Sequence, residues 1–487
     1  MAFCSGSHTM KALALSPNFW AHTRHGAGFS AYPWRTPMVL ELPDWPAWAS
    51  RTFLVLAAIT SFVAIGERVA SRSSDGKEEE EKPSGEKLAE FRSFQRQYLT
   101  VYTIIMGADW LQGTNMYTLY QSYNVDISTL FVTGFTSSAI FGTIVGMYVD
   151  IWGRKLGCIV YLIIEVVVNV FEHFNNFPLL LLGRVLGGVS TSLLFSAFET
   201  WMVSEHRKRG FPEGWLADTF GTASFINGLS AIIAGICAQL VADRLGEIGP
   251  FQAAILLTVL ALFFVVFWEE NYGSSDEEGK KESKESESST NAAAAFKAIV
   301  SDRKIFLTGL VNSLFEGSMY SFVFMWVPSM LQALNGRPLP TGLVFSSFMT
   351  CMSLGGLLFS PHLLLGLCSA EQLAVGVFLV GAAALAVPVY SSSLIPVLLS
   401  FIIFETCVGV FFPCLGLLRS KVIPDSIQGS VMNIFRVPLN IFVVIGTKLT
   451  DIYPTQTVFS IIVSWLLAGA VMQVVLVMSM KSGKKVD

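Results

Sequence analysis

Apolar runs of about 20 residues, each long enough to cross a ~30 Å hydrocarbon layer as a helix, recur from residue 98 to the C-terminal end of this chain. Few folds accept such a pattern. In a bilayer every backbone N–H and C=O must find its partner inside the protein, so each run is predicted to be a helix. Twelve core spans fall near 98–121, 128–149, 157–173, 178–203, 216–241, 250–268, 304–330, 341–366, 371–390, 394–418, 427–449 and 455–478. A thirteenth apolar segment, near 52–66, precedes them. Composition agrees: 14% of the 487 residues are charged, against about a quarter in soluble domains. The fold class expected is an all-α polytopic membrane protein.

Charge collects between the runs. The expected order is an N-terminal extension over 1–51, an extra helix over 52–70 and a charged linker over 71–97. A six-helix half over 98–268, a linker over 269–303, a second six-helix half over 304–480 and a tail over 481–487 follow. Lysine and arginine set the sidedness. If the loop holding Arg154 and Lys155 faces the cytoplasm, so do both linkers, Arg207 to Arg209, Arg419, Lys421 and the C-terminal tail. The opposite loops then hold only Arg244, Arg337 and Lys448, as the positive-inside rule requires. The serine-rich, charged stretch 269–297 cannot bury a core and is predicted to be disordered. The net charge of −4 arises from the linkers and says nothing about partners. Residues 1–50, with no acidic residue before Glu41, read either as an organellar transit peptide or as an extension ahead of a signal anchor. The plasma membrane is the expected location, and the first of those readings keeps an organellar membrane open.

Four carboxylates interrupt the apolar runs: Asp109, Glu199, Glu316 and Glu405, on spans one, four, seven and ten. Asp109 and Glu199 are 90 positions apart, Glu316 and Glu405 are 89 apart, and the two pairs are offset by 207 and 206. That period is the mark of two halves, each made of two three-helix units. Asp109, Glu316 and Glu405 lie about 11–12 residues inside their spans, where an ionisable group marks a pathway or a binding site. The plainer reading, a carboxylate near a helix end reaching water, suits Glu199 best. A central polar cavity lined by these helices is expected.

Arg436, in "NIFRVPLN" (433–440), also falls near the middle of its span. A guanidinium stays charged, so it needs an anion. That anion is either a buried carboxylate, Glu405 or Glu199, or an anionic solute held by the planar fork. Pro438 beside it is expected to break or kink the helix. Asn433 and Asn440 add hydrogen-bonding capacity. Asn115, Tyr117 and Asn312, with Asn227, Tyr120 and Tyr320, are further polar groups on helices expected to face the cavity, although a lone residue of this kind more often serves structure. Arg184, near the outer end of span four, reads as a packing or snorkelling residue, with reception of an incoming anion as the alternative. None of the six histidines belongs to a ligand-spaced pair. Cys158, Cys237, Cys351, Cys407 and Cys414 lie in apolar runs without zinc or CxxC spacing. No metal, cofactor or nucleic-acid partner is expected, the bilayer itself is the partner, and no nucleophile–base pair suggests an enzyme.

The stretch "GMYVDIWGRKLG" (146–157) resembles the G-x-x-x-D-x-x-G-R-K signature of the major facilitator superfamily, with Gly146, Asp150, Gly153, Arg154 and Lys155 in place. The resemblance implies the major facilitator fold and a gating role for this loop, a charge network holding the halves together on the cytoplasmic side. The equivalent loop of the second half, "SPHLLLGLCSAEQ", lacks the signature, which leaves latching mainly to the first half. "ADWLQG", "GRVLGGVSTSLLFSAFETW", "EENY", "VFSSFM", "LRSKVIP" and "FRVPLN" together resemble the molybdate-anion transporter family over about 98–480. This second resemblance implies uptake of molybdate, a tetrahedral dianion.

Such a substrate needs positive charge, for which Arg436 is the candidate. Four ionised carboxylates around one cavity would oppose it, since like charges ~6 Å apart cost roughly 3 kcal/mol per pair at an effective dielectric of about 20. Some of the acids are therefore expected to be paired with arginine or protonated. This predicts proton–anion symport with Asp109, Glu199, Glu316 and Glu405 as coupling or ion-pair groups. Two other readings fit the same pattern: a proton-coupled transporter of a sugar or organic ion, and a membrane sensor or scaffold that keeps the fold without transport.

Overall fold

A computed structural model of the chain describes residues 45–74, 85–194, 196–272, 294–360, 363–424 and 428–483. Most of the expected N-terminal extension, the centres of both linkers and the end of the tail lie outside these residues. All regular structure among the described residues is helical. The extra helix is α1 (Ala47–Ser74). The first half comprises α2 (Gly85–Tyr123), α3 (Ile127–Trp152), α4 (Arg154–Phe171), α5 (Phe177–Leu194), α6 (Ala197–Lys208), α7 (Glu213–Leu245) and α8 (Gly249–Val265). A short α9 (294–301) leads into the second half. That half comprises α10 (Arg303–Leu334), α11 (Thr341–Leu358), the single turn α12 (Leu364–Leu367), α13 (Ala370–Tyr390), α14 (Leu394–Val422), α15 (Gln428–Ile452) and α16 (Thr455–Gly483).

Local chemistry sets several of these starts. Asp126 opens α3 by accepting the Thr129 N–H at 3.0 Å, and Asp302 opens α10 by accepting the Lys304 N–H at 2.7 Å. Ser369 and Gln372 form a reciprocal capping box at α13. Among the described residues, seven stretches are long and apolar enough to cross a membrane: α1, α5 with α6, α7, α11, α13, α14 and α16. Shorter apolar stretches lie in α3, α8 and α15. The helices outside both groups include α2, α4 and α10, which carry Asp109, Glu165 and Glu316. Asp109 and Glu165 face the interior of the first half, and Glu316 is half-buried.

The two halves repeat one set of pairings. α3 packs on α5, α2 on α7 and α8, and α4 on α5 and α8; in the second half α11 packs on α14, α10 on α15 and α16, and α13 on α14 and α16. The halves meet along two seams, α3 against α15 and α7 against α11. On the face opposite the Arg154 loop both seams are closed. At the first, the Ser128 hydroxyl reaches the Thr447 carbonyl oxygen at 3.5 Å, and the Lys448 ammonium donates to the Thr129 hydroxyl at 3.3 Å. Phe131 and Phe135 of α3 meet Phe324 of α10 beside it, with ring centroids 4.9 and 5.9 Å apart. At the second, the Ser346 hydroxyl donates to the Ile232 carbonyl oxygen at 2.8 Å, and the Gly342 N–H donates to Gln239 Oε1 at 2.9 Å. Backbones touch here: a Cβ on Gly342 would collide with the Gly235 carbonyl oxygen.

Three expectations change. The linker expected over 71–97 is helical from Gly85, because Phe91, Phe94 and Tyr98 form an apolar stripe that packs with Trp201, Phe211 and Trp215. Span four is interrupted by a turn at Ser196, the residue before α6. Of the break or kink expected at Pro438, the break is absent, since α15 runs through it to Ile452.

Candidate functional site

A cavity of about 340 Å³ lies inside the first half, walled by α2, α3, α4 and α5; Asp109, Gln112, Ser138, Glu165, Arg184 and Thr191 are among its lining residues. α4 supplies much of the polarity. Glu165, Asn169 and Glu172 stand at i, i+4 and i+7 and share one helix face. Glu165, 7% exposed, accepts hydrogen bonds from Gln112 Nε2 at 2.9 Å, from Asn169 Nδ2 at 3.4 Å and from the Ser190 hydroxyl. Three donors offset much of the cost of taking a carboxylate out of water. Glu172, fully buried, pairs with Arg184 of α5 and accepts the Tyr120 hydroxyl at 2.8 Å. The Arg184 guanidinium also stands 5.7 Å from the Tyr120 ring centroid. Arg184 Nε and Glu172 Oε2 have no partner among the described residues, so the pairing is end-on and not a double fork. Asp109 and Glu165 line the cavity with Arg184, whose guanidinium is already paired with Glu172. This surplus of negative charge suits a proton or other cation better than a dianion.

The signature loop is held from the end of span six. Gly153 has φ 119°, a conformation glycine adopts without strain. The N–H groups of Lys155 and Leu156 donate to the two Glu270 carboxylate oxygens at 2.8 and 3.1 Å, and Arg154 N–H donates to the Asn271 carbonyl oxygen at 3.0 Å. Glu270 thereby caps the start of α4, where unpaired N–H groups and the helix dipole favour an anion. A Cβ on Gly153 would lie 2.7 Å from the Glu270 carboxyl carbon. Asn271 Nδ2 donates to the Trp201 carbonyl oxygen at 3.2 Å, and Trp201 Nε1 donates to that of Glu269 at 2.9 Å. Trp201 stacks on Trp268 with centroids 3.8 Å apart. Glu205 and Arg209 pair at 2.9 Å, and Glu269 and Lys208 at 3.1 Å. Loop, α6 and the "EENY" segment thus form one network within the first half.

The profile of a family described as sugar transporters with 12 transmembrane segments matches residues 51–412. Proteins named molybdate-anion transporter from Xenopus laevis and Danio rerio are 33% identical over 375 residues and 32% identical over 392 residues. Each match covers 73% of this chain and 79% of the relative. The chain belongs to the molybdate-anion transporter family of the major facilitator superfamily. Solved structures share its fold. The nucleoside transporter NupG superposes with a TM-score of 0.61 at 14% identity, covering 79% of this chain and 98% of its own. A POT family transporter in complex with 5-aminolevulinic acid gives 0.61 at 13% identity, covering 80% and 96%. The molecule is a multi-pass membrane transporter of the major facilitator type.

In this member of the family the four acids of spans one, four, seven and ten do not converge on one described cavity. Asp109 lines the first-half cavity. Glu199 is exposed in the first turn of α6. Glu316 is half-buried on α10, and Glu405 is 6% exposed on α14. Asn115 is turned to structure, donating to Glu247 Oε2 at 2.8 Å, and Asn227 accepts Trp110 Nε1 at 2.8 Å. Tyr117 lines a second cavity of about 310 Å³ with Ser128, Phe324 and Thr447, on the face opposite the signature loop. Tyr320 of α10 lies edge-on to Phe135, with centroids 5.5 Å apart. Asn312 Oδ1, buried on α10, has no partner among the described residues. Asn440 is half-buried on α15. The side chains of Asn433, Arg436 and Asp150, and the surroundings of Gly146, lie outside those described. Glu165 and Glu172 are the acids that the one-per-unit rhythm passed over. Their signal was the polar spacing in "EVVVNVFE". Arg184, read as a packing or snorkelling residue, is the ionic partner of Glu172.

Proposed function

We propose that the chain takes up molybdate by alternating access in symport with protons, with the signature loop and the C-terminus in the cytoplasm and the plasma membrane as its site. The observation that carries the substrate is the match over 73% of the chain to relatives named molybdate-anion transporter. The two closed seams support the mechanism, since they are the contacts that must part for a solute to enter from outside. Arg436, with Asn312, Asn433 and Asn440, is the proposed anion-holding group. Asp109, with Glu165 beside it in the first-half cavity, is the proposed proton-carrying group, joined by Glu316 and Glu405. Protonation of these acids when the anion binds relieves the repulsion a dianion would meet among ionised acids, roughly 3 kcal/mol per charge pair ~6 Å apart at an effective dielectric of about 20.

The test is molybdenum accumulation, measured elementally, in cells lacking their own uptake system and supplied with nanomolar molybdate. Expression of the chain should raise it, tungstate should compete, and an uncoupler should suppress it. No gain over control cells rejects the molybdate reading. Gain that is indifferent to external pH and to the uncoupler rejects the symport. The description of the matching profile supports a second reading, a sugar-like solute. Competition by sugars with none by tungstate would establish that instead.

A further inference from the structure

The extra helix α1 is attached to both halves, and in two different ways. Along its length it packs on α11 of the second half. Ala49, Thr52, Leu56, Thr60, Val63 and Glu67 follow a spacing of three and four, and they make one covered or half-covered stripe. Its end on the signature-loop face is tied to the same helix, since the Ser360 hydroxyl just beyond α11 donates to Glu67 Oε1 at 2.7 Å.

The other end departs from this pattern. Trp45, two residues before α1 begins, donates its indole N–H to Asp243 Oδ2 of α7 at 2.7 Å, across to the first half. Asp243 Oδ1 accepts Gln239 Nε2 at 2.7 Å, and Gln239 Oε1 accepts the Gly342 N–H of α11 at 2.9 Å. The relay Trp45–Asp243–Gln239–Gly342 therefore leaves α1, enters the first half and returns to the helix on which α1 rides. It does so at the level where Gly235 and Gly342 bring the two backbones into contact. A helix serving as an anchor alone needs lipid and α11 and gains nothing from a bond to α7.

We infer that α1 is a clasp on the α7–α11 seam: Trp45, through Asp243 and Gln239, fastens the outer face shut and must release before that face opens. The inference rests on the alternating-access reading above, though not on the identity of the solute. It makes outward opening a motion in which α11 carries α1 away from α7, with the Trp45 bond broken and the Glu67 bond kept.

A reporter on the other seam tests it. Ser128 is 3% exposed between α3 and α15. As Ser128→Cys, in a chain whose native cysteines are replaced, it should react with a membrane-impermeant maleimide only when the outer face opens. Trp45→Phe keeps an aromatic ring and removes the N–H. It should raise the labelling rate about two- to tenfold, the equivalent of one hydrogen bond. Asp243→Ala, which cuts the relay from the other side, should do the same. Glu67→Gln, at the end tied within the second half, should leave labelling unchanged. Unchanged labelling in both relay variants overturns the clasp, and so does an equal rise in Glu67→Gln, which would make the whole helix a passive prop. A gain-of-bond arm is independent of folding losses in those variants. Trp45→Cys with Asp243→Cys, bridged by a short bis-methanethiosulfonate, should stop solute uptake until dithiothreitol releases it, and uptake that continues through the bridge overturns the inference. Labelling needs no substrate, so a failure of the molybdate reading leaves that arm intact.

Discussion

In the first half, α4 lies against α5 and α8 and carries Glu165, Asn169 and Glu172 into the packing. In the second half, α13 lies against α14 and α16 in the matching position and contributes Ala374, Val377, Phe378, Ala382 and Leu385. Phe378 joins Phe315 and Phe411, whose rings stack with centroids 3.7 Å apart. One architecture has therefore been filled twice, once with paired charges and hydrogen bonds and once with phenyl rings. The repeat governs which helices touch. It does not govern what they are made of, and chemistry can concentrate in one half while the other supplies a stiff counterpart.

Substitutions can break or sharpen that contrast. The largest effects should be one in each half. Phe411→Ala should destabilise the second half by about 3–5 kcal/mol through the cavity it leaves. Arg184→Ala should cost a similar amount, about 3–5 kcal/mol, by stranding buried Glu172. Thermal unfolding in detergent measures both. The mechanisms separate on rescue: adding Glu172→Gln should recover most of the Arg184→Ala loss and none of the Phe411→Ala loss. Glu165→Gln comes next, at about 1.5–3 kcal/mol, because an amide cannot accept from three donors as a carboxylate does.

Helix starts give a smaller contrast. Asp126 caps α3, whereas Pro340, in the matching place before α11, makes no side-chain cap. Asp126→Ala should cost about 1 kcal/mol. The Thr129 hydroxyl and N–H hold the Asp126 carboxyl below its usual range. A lowered folded value means this contribution is complete above the ordinary aspartate range and is lost as pH falls through the lowered value. The Asp126→Ala difference should therefore shrink in strong acid. Smallest of all should be Glu405→Gln, under about 1 kcal/mol, since Glu405 has no hydrogen-bond or ion-pair partner among the described residues. A loss as large as that of Arg184→Ala would instead put a cation such as Arg436 against it, and the second half would then have a buried charge pair of its own.

The bundle was legible because bilayer thickness fixes the length of an apolar run, and a period near 90 positions marks its units. Hydropathy is a sum over a window, so it read through the gap at Ser196, where composition stays apolar although the residue is a turn. The same gap accounts for Glu199. It stands in the first turn of α6, where the unpaired N–H groups and the helix dipole favour a carboxylate. Charge density hid the start of α2, yet Phe91, Phe94 and Tyr98 were the stripe that makes 85–97 a packed helix. The search for one acid per three-helix unit hid Glu165 and Glu172, which sit on the third span. No rule about pathways distinguished Asn115 from a structural asparagine, because its partner, Glu247, lies 132 positions away.

The divided fourth span has a mechanical meaning. A continuous helix is a stiff rod, and twisting one end turns the other. Here an 18-residue helix bearing Arg184 and a 12-residue helix bearing Glu199, Trp201 and Glu205 lie on either side of Ser196, a turn residue whose N–H donates to the Leu193 carbonyl oxygen at 3.2 Å. If the signature loop turns α6, Ser196 is the point at which the span would bend before the rotation reached the cavity. The two ends of one membrane span would then move separately, α6 with the loop and α5 with its Arg184–Glu172 pair.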